Sequence, residues 1–335
     1  MSIELLSSIK PENKAHFIAD RLGRAGLNPG KLLNRCHFAL HPKTKLLELA
    51  VSGGADSTAL LILGYLFNPN VRIWHLDHQL RPSSGAEAVA VDDLARALSV
   101  KVEIYQSKVE QGANLEERAR EMRRVNFIEG VSTGHTADDL SETMLINLMR
   151  GAGPRGLGSI SVGPLHPILD LRRSETESIC QALSINFVVD ESNSNPKFIR
   201  NRVRSELLPL LSDISQRDIV PILVRSALIF QQVADYLTSQ AGAIDPTEAK
   251  QLSGADEIIA TEAIRRWLAD ERGHTLSREL VLDVLRVARG EKVATDLPGA
   301  VRVRRSKGKL SKFDIDSTKR DHQISMPGRV IDELS

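Results

Sequence analysis

Cysteine is scarce. Cys36 and Cys180 are the only two in 335 residues, far apart and in no C-x-x-C arrangement, so the chain offers neither a disulfide framework nor a thiolate set for zinc or an iron-sulfur cluster. Both read as small buried apolar residues. Long hydrophobic runs are missing as well: nothing approaches the roughly 18 to 20 residues of a membrane span, and the N-terminus MSIELLSSIKPENK has neither a basic start nor an apolar leader core. A cytoplasmic address with no membrane partner is the expectation. Charge of one sign is not in excess, since 44 Lys and Arg stand against 43 Asp and Glu for a net charge of +1. That balance excludes a uniformly basic nucleic-acid binder and leaves room for a local basic face. No internal repeat, low-complexity tract or G-x-x-x-x-G-K-S/T phosphate loop is found. What is there is 41% apolar, enough for a sizeable core, in a chain long enough for two domains.

The first forty or so residues read as helical, with mixed three- and four-residue apolar spacing in AHFIADRLGRAGL; no function attaches to them. From Lys45 short apolar strands (LLELAV, VRIWHLD, KVEIYQ, VST) alternate with helical stretches, the pattern of a parallel sheet covered by helices on both faces. Such sheets bind ligands beyond the carboxyl ends of their strands. After Leu211 the chain turns helical, and DLPGAVRVRRSKGKLSKFDI reads as a small hairpin around a Pro-Gly turn. The expected division is a helical extension over 1–44, an α/β catalytic domain over 45–211 and a smaller, mainly helical domain with a C-terminal β-hairpin over 212–335.

Three stretches can carry chemistry. In AVSGGADSTALL, Ser52, Gly53, Gly54, Ala55, Asp56 and Ser57 link a strand to a helix; the glycines let backbone approach closely and the helix start offers unpaired amides, a phosphate cradle. Asp56 beside phosphate calls for a cation, and magnesium suits a hard carboxylate. A plain turn with a Ser or Asp cap is the competing reading. In TGHTADDLSETML, Asp138, Asp139 and Glu142 share a helical face, able to hold a metal or an amine, with His135 just ahead; acidic residues favouring a helix's first turn, capped by Thr133 or Thr136, explain the same pattern. In NLEERAREMRRVNF, Arg120, Arg123 and Arg124 can meet phosphate or bases, or pair with the glutamates around them.

Taken in chain order, these pieces resemble the PP-loop ATP pyrophosphatase family, whose signature S-G-G-x-D-S stands here at Ser52 to Ser57. Within it the sequence is similar to the tRNA(Ile)-lysidine synthetases, through HLDHQLR, NLEERARE, GHTADDLSET, RGAGPRGLGSI, HPILDLRRSE and VVDESNSNPKFIRNRVRSELLPLL. The resemblance implies an adenine nucleotide alpha hydrolase-like, Rossmann-like fold. It also implies a reaction in which ATP adenylates the wobble cytidine of tRNA(Ile) with a CAU anticodon and L-lysine then displaces AMP. The resemblance further assigns residues. ATP meets Ser52 to Ser57, Leu76 and His78; magnesium sits on Asp56; Arg123 lies near the α-phosphate and His135 matches the site's histidine, these two forming the catalytic set with Asp56 and Asp139; Asp139 and Glu142 take the ammonium groups of lysine. From the segment Asp190 to Arg204 it assigns Arg200, Asn201 and Arg204 to tRNA, with bracing of a domain junction by Asn193 and Asn201 as the plainer alternative. Related enzymes are often dimers, so a homodimer is allowed. The family often has two adjacent histidines where this chain has His135 and Thr136, and an aromatic residue at Arg124. The rival reading is a PP-loop tRNA thiolase, which needs paired cysteines.

Overall fold

The computed structural model describes residues 3–41, 46–77, 84–106, 130–188, 198–269 and 276–315. Two compact units divide the chain, Met1–Gln231 and Gln232–Ser335.

In the first unit three strands, β1 (Leu47–Ala50), β2 (Val71–Asp77) and β3 (Lys101–Gln106), form a parallel sheet in the order β1-β2-β3. Leu49 pairs with Ile73 and Ile73 with Val102. On the free side of β1 the VST segment joins through a parallel bridge, with the Ala50 N–H donating to the Ser132 carbonyl and the Ser132 N–H to that of Glu48, both at 2.8 Å. The chain after Ala50, after Asp77 and after Ser132 therefore leaves the sheet at one common edge, where ligands of such sheets bind. The helix that follows β1, α4 (Ala55–Phe67), is buried all round from Ala59 to Leu63, as a helix covered on every side must be.

The three N-terminal helices, α1 (Ile3–Ser8), α2 (Pro11–Arg24) and α3 (Pro29–Asn34), share this core through Leu6, Ile18, Leu22 and Leu32. Lys14 of α2 is buried as well. Its ammonium donates to the Ala97 carbonyl at 2.6 Å and to Ser99 Oγ at 2.8 Å, tying α2 to the C-terminal end of α5 (Ser84–Leu98). A cation at that negative helix end is stabilising, although burial pulls the lysine pKa below its ordinary value.

Beyond the sheet come α6 (Ala137–Met149), the single turn α7 (Pro154–Leu157) and α8 (Arg173–Ala182). Then α9 (Ile199–Arg202) runs through a π-helical turn, Val203–Leu207, into α10 (Leu208–Ser215). The start of α11 (Val220–Gly242) places Val220 and Ala227 against Leu140, Met144, Leu145 and Ile146 of α6. This packing and the helices of 1–44 lie in the first unit, which runs to Gln231.

The second unit contains α12 (Ala249–Gly254), α13 (Glu257–Trp267) and α14 (Arg278–Arg289), followed by an antiparallel sheet of β4 (Ala294–Leu297), β5 (Val301–Ser306) and β6 (Lys309–Asp314). The expected hairpin at Pro298 and Gly299 is present, and a second turn at Lys307 and Gly308 extends it to three strands. Val281, Val284, Leu285 and Ala288 of α14 pack with Val303 and Leu310 of the sheet. The basic residues of this hairpin are partly paired: Arg302 with Asp296, Lys309 with Glu248, and Arg304 over the Phe313 ring at 5.1 Å. Among the described residues no helix is long and apolar enough to cross a membrane.

Candidate active site

The loop from Ser52 to Ser57 is tied down from several sides. Gly53 holds φ at +90°, a turn conformation costly for any side chain, and its carbonyl accepts the Val188 N–H at 3.0 Å. At the loop's root the buried His75 donates its Nδ1–H to the Val51 carbonyl at 2.7 Å. Ser57 Oγ accepts the Ser52 N–H at 3.1 Å and donates to the Gly54 carbonyl at 3.0 Å. Gly54 is the N-cap residue of α4 and has no side chain of its own to cap it. The plain-turn reading needed Ser or Asp in that role. The thirteen-residue helix instead starts on a glycine at the ligand edge, where backbone donors and the helix dipole favour an anion.

Asp56, in the first turn of α4, points to other partners. Its Oδ1 accepts the Thr176 hydroxyl at 2.5 Å and its Oδ2 lies 3.3 Å from Arg173 Nε. Arg173 and Thr176 come from the start of α8, which is brought alongside because the Ala137 N–H at the start of α6 donates to the Leu171 carbonyl at 2.9 Å. Arg173 therefore reaches three carboxylates at once: Asp56, Asp139 (Nη2 to Oδ1, 2.9 Å) and Glu142 (Nη1 to Oε1, 3.1 Å). Arg200 adds bonds to Glu142 Oε2 (2.8 Å) and Asp139 Oδ1 (3.0 Å), and Arg204 chelates Glu142 at 2.7 and 3.1 Å. Asp56, Asp139 and Glu142 thus face Arg173, Arg200 and Arg204, charge for charge. Asp138, the remaining acidic residue of the motif, turns away to a bidentate bond with Arg172 at 3.1 Å.

Asp139 uses its two oxygens differently. Oδ2 accepts the Thr136 N–H and hydroxyl at 2.9 Å each, the helix-capping role; Oδ1 faces the arginines. Burial would raise the Asp139 pKa, but Arg173, Arg200, His135 and the Thr136 amide together hold it below the ordinary carboxylate value. Asp56 goes the other way: burial first and the Asp139 charge second push its carboxyl up, against the pull of Arg173 and Thr176. Arg173 loses by burial but is held firmly protonated by Asp139, Glu142 and Asp56.

His135 stands on the loop ahead of α6. A methyl group at Gly134 would lie 3.0 Å from the backbone of Asp56 and Ser57, so glycine lets this loop press against the Ser52–Ser57 loop. A cavity of about 220 Å³ opens beside Glu142, lined by Asp138, Arg172, Arg204, Asp218 and Leu208. The larger cleft, about 360 Å³ between Pro69, Arg72 and Lys101, lies where β2 and β3 begin, at the end of the sheet opposite these loops, and has no part in the site.

The fold thus gathers Ser52 to Ser57, His135, Asp139 and Glu142 at one edge, with Leu76 buried near the end of β2. Arg123 and His78 lie outside the described residues, as do Arg81, Arg120, Arg124 and Asn193. Arg200 and Arg204, expected on tRNA, turn inward to Glu142, and Asn201 is 8% exposed, which fits bracing better than surface contact. Sequence reasoning gave no role to Arg172, Arg173, Thr176 or His166. Arg172, Arg173 and His166 lie in HPILDLRRSE, singled out only for its resemblance, and Thr176 follows it directly; the paired arginines at the start of a helix were the available signal.

The PP-loop domain model matches residues 31–211, which contain every residue of this site. The chain is thereby a PP-loop protein. Curated relatives narrow the class. A tRNA(Ile)-lysidine synthase of Rhodococcus erythropolis is 34% identical over 246 residues, covering 69% of this chain and 75% of that protein. One from Gloeobacter violaceus is 32% identical over 276 residues, covering 74% and 84%, and one from Salinispora tropica is 31% identical over 299 residues, covering 79% and 90%. The chain belongs to the tRNA(Ile)-lysidine synthase family.

Proposed function

We propose that this chain ligates L-lysine to carbon 2 of the wobble cytidine of a tRNA(Ile) bearing a CAU anticodon, using ATP and releasing AMP and pyrophosphate. The observation that carries the reading is the meeting of an uncapped, glycine-rich helix start with a buried carboxylate pair, Asp139 and Glu142, at one sheet edge. The first suits phosphates, the second an ammonium group.

In the first step the cytidine 2-carbonyl oxygen attacks the α-phosphorus of ATP and pyrophosphate leaves, held by the amides at the start of α4 and the hydroxyls of Ser52 and Ser57. Magnesium fits this site through Asp56, a hard oxygen donor whose carboxyl is pushed up by burial and by the neighbouring Asp139 charge; Asp56 would hold the ion, which would supply charge to offset that developing on the pyrophosphate. In the second step the lysine amine attacks carbon 2 and AMP leaves. Asp139, held ionised, suits the binding of an ammonium rather than its deprotonation. The cavity beside Glu142 carries both carboxylates and guanidiniums, as a zwitterionic amino acid requires.

Lysine must also displace a guanidinium, because the arginines already satisfy these carboxylates. Freed from them, Arg173 and Arg200 become available to phosphate. The homodimer expected from the family and the tRNA-facing surface remain parts of this proposal that rest on the resemblance. Sulfur delivery is disfavoured: burial pushes both cysteine thiols up to about 12, and neither is exposed. Measuring AMP and pyrophosphate release with tRNA as lysine is titrated tests the reading. AMP release that saturates with lysine is the expected result, and AMP release indifferent to lysine opposes it.

A further inference from the structure

We infer that His75 is a positioning residue for the Ser52–Ser57 loop, holding the peptide unit between Val51 and Ser52 in one orientation. The inference deepens the proposed function and rests on it for the ATP that the loop would hold. His75 opens the segment HLDHQLR, in which the resemblance gives a role to Leu76 and His78 but none to this residue. In the parallel pairing of β1 with β2 the register ends at Ala50 and Trp74, and the Val51 N–H adds one more bond, to the Trp74 carbonyl at 2.9 Å. The Val51 carbonyl meets a side chain, His75 Nδ1 at 2.7 Å. A carbonyl oxygen has no proton to give, so Nδ1 carries the proton whatever the charge of the ring. On the other side of the same peptide unit the Ser52 N–H donates to Ser57 Oγ at 3.1 Å, and an amide N–H can only donate. One peptide unit is thus gripped at both polar ends, from β2 and from α4, where the chain leaves the sheet for the loop.

The second ring nitrogen shows what the imidazole is for. His75 is 2% exposed, and its Nε2 is buried with no hydrogen-bond partner among the described residues. A buried polar atom left unmet is costly, and Leu or Phe would fill a core position without that cost. What imidazole adds there is the one donor at Nδ1. His75→Phe removes the unmet Nε2 and leaves unmet in its place the carbonyl of Val51, itself 2% exposed. The stability of the fold should therefore change little, while the peptide unit loses one of its two holds. A turn of that unit moves the Ser52 N–H off Ser57 and displaces the hydroxyls and amides that would hold the pyrophosphate.

The test uses the full chain labelled with nitrogen-15. Long-range proton-nitrogen spectra should show a protonated Nδ1 at His75. The Ser52 amide should be protected from hydrogen exchange in the wild-type protein, exchange faster in His75→Phe and regain protection in His75→Asn, whose Nδ2 stands one bond from Cγ as Nδ1 does. His75→Gln carries its amide one bond further out and should behave as Phe does; it also serves if His75→Phe does not fold. The ATP KM of adenylation should rise at least about tenfold in His75→Phe, short of the roughly hundredfold that a 1 Å misplacement can cost. Asn should recover most of it, with lysine KM and the melting temperature close to wild type throughout. A merely structural His75 would lower the melting temperature together with the rate and would not separate Asn from Gln. An unprotonated Nδ1, a Ser52 amide equally protected in His75→Phe, or Gln rescuing as well as Asn overturns the inference. If the wild-type protein adenylates no tRNA, the proposed function fails, and the nitrogen spectra with the Ser52 exchange rates still decide for or against His75.

Discussion

Replacing Glu142 by Gln isolates the charge at the centre of the site while keeping its volume. Glu142 has no exposed side-chain surface and accepts four hydrogen bonds, two at each oxygen, from Arg173, Arg200 and Arg204. In Gln one oxygen becomes an amide nitrogen, so two of the four donors meet another donor. Breaking a buried ion pair from one side costs about 3 to 5 kcal/mol. Arg173 and Arg200 keep Asp139, and Arg204 is 30% exposed and can turn to water, which puts the stability loss at the lower end, about 3 kcal/mol. Function should split. A charge-assisted hydrogen bond to an ammonium is worth about 1.5 to 3 kcal/mol, so the lysine KM should rise roughly 10- to 150-fold, while pyrophosphate release in the adenylation step stays within a few-fold. Urea midpoints and separate assays of the two steps measure both. An equal fall in adenylation and ligation, with lysine KM unchanged, would show that Glu142 supports the fold and not the amino acid.

Asp56→Asn should abolish adenylation yet leave the melting temperature unchanged or higher, because the native environment disfavours that charge through burial and Asp139; a clear drop in thermal stability refutes this. Asp139 has the opposite sign. Its folded pKa lies below the unfolded value of about 3.9, so its contribution is complete above that value and lost as pH falls through the folded pKa. Asp139→Asn should therefore cost stability at neutral pH and progressively less below about pH 4, checked by melts across that range. Lys14→Met should leave the Ala97 carbonyl without its buried donor and destabilise by about 1 to 2 kcal/mol, with no effect on kcat.

The sheet was legible because β1 and β2 are short apolar runs between helical stretches, and the Ser52–Ser57 loop because two glycines interrupt such a run at a helix start. Asp139 and Glu142 were legible as a pair, since helical spacing is local. Their partners were not. Arg173 meets Asp56 across 117 residues, and no local pattern announces a contact of that span. Arg200 and Arg204 read as basic residues for a polyanion, whereas a fully buried Glu142 draws them inward: the charge of a buried carboxylate must be met. The helices of 1–44 gave no functional signal because their task is packing, with Lys14 as the tie.

The most direct test of the central claim is mass analysis of nucleosides from a CAU-anticodon isoleucine tRNA transcript incubated with this protein, ATP, magnesium and isotopically labelled lysine. The account predicts a cytidine carrying one labelled lysine, with AMP and pyrophosphate each formed in equal amount to it. Cleavage of ATP with no label entering the base would contradict the substrate assignment and leave only the PP-loop chemistry standing.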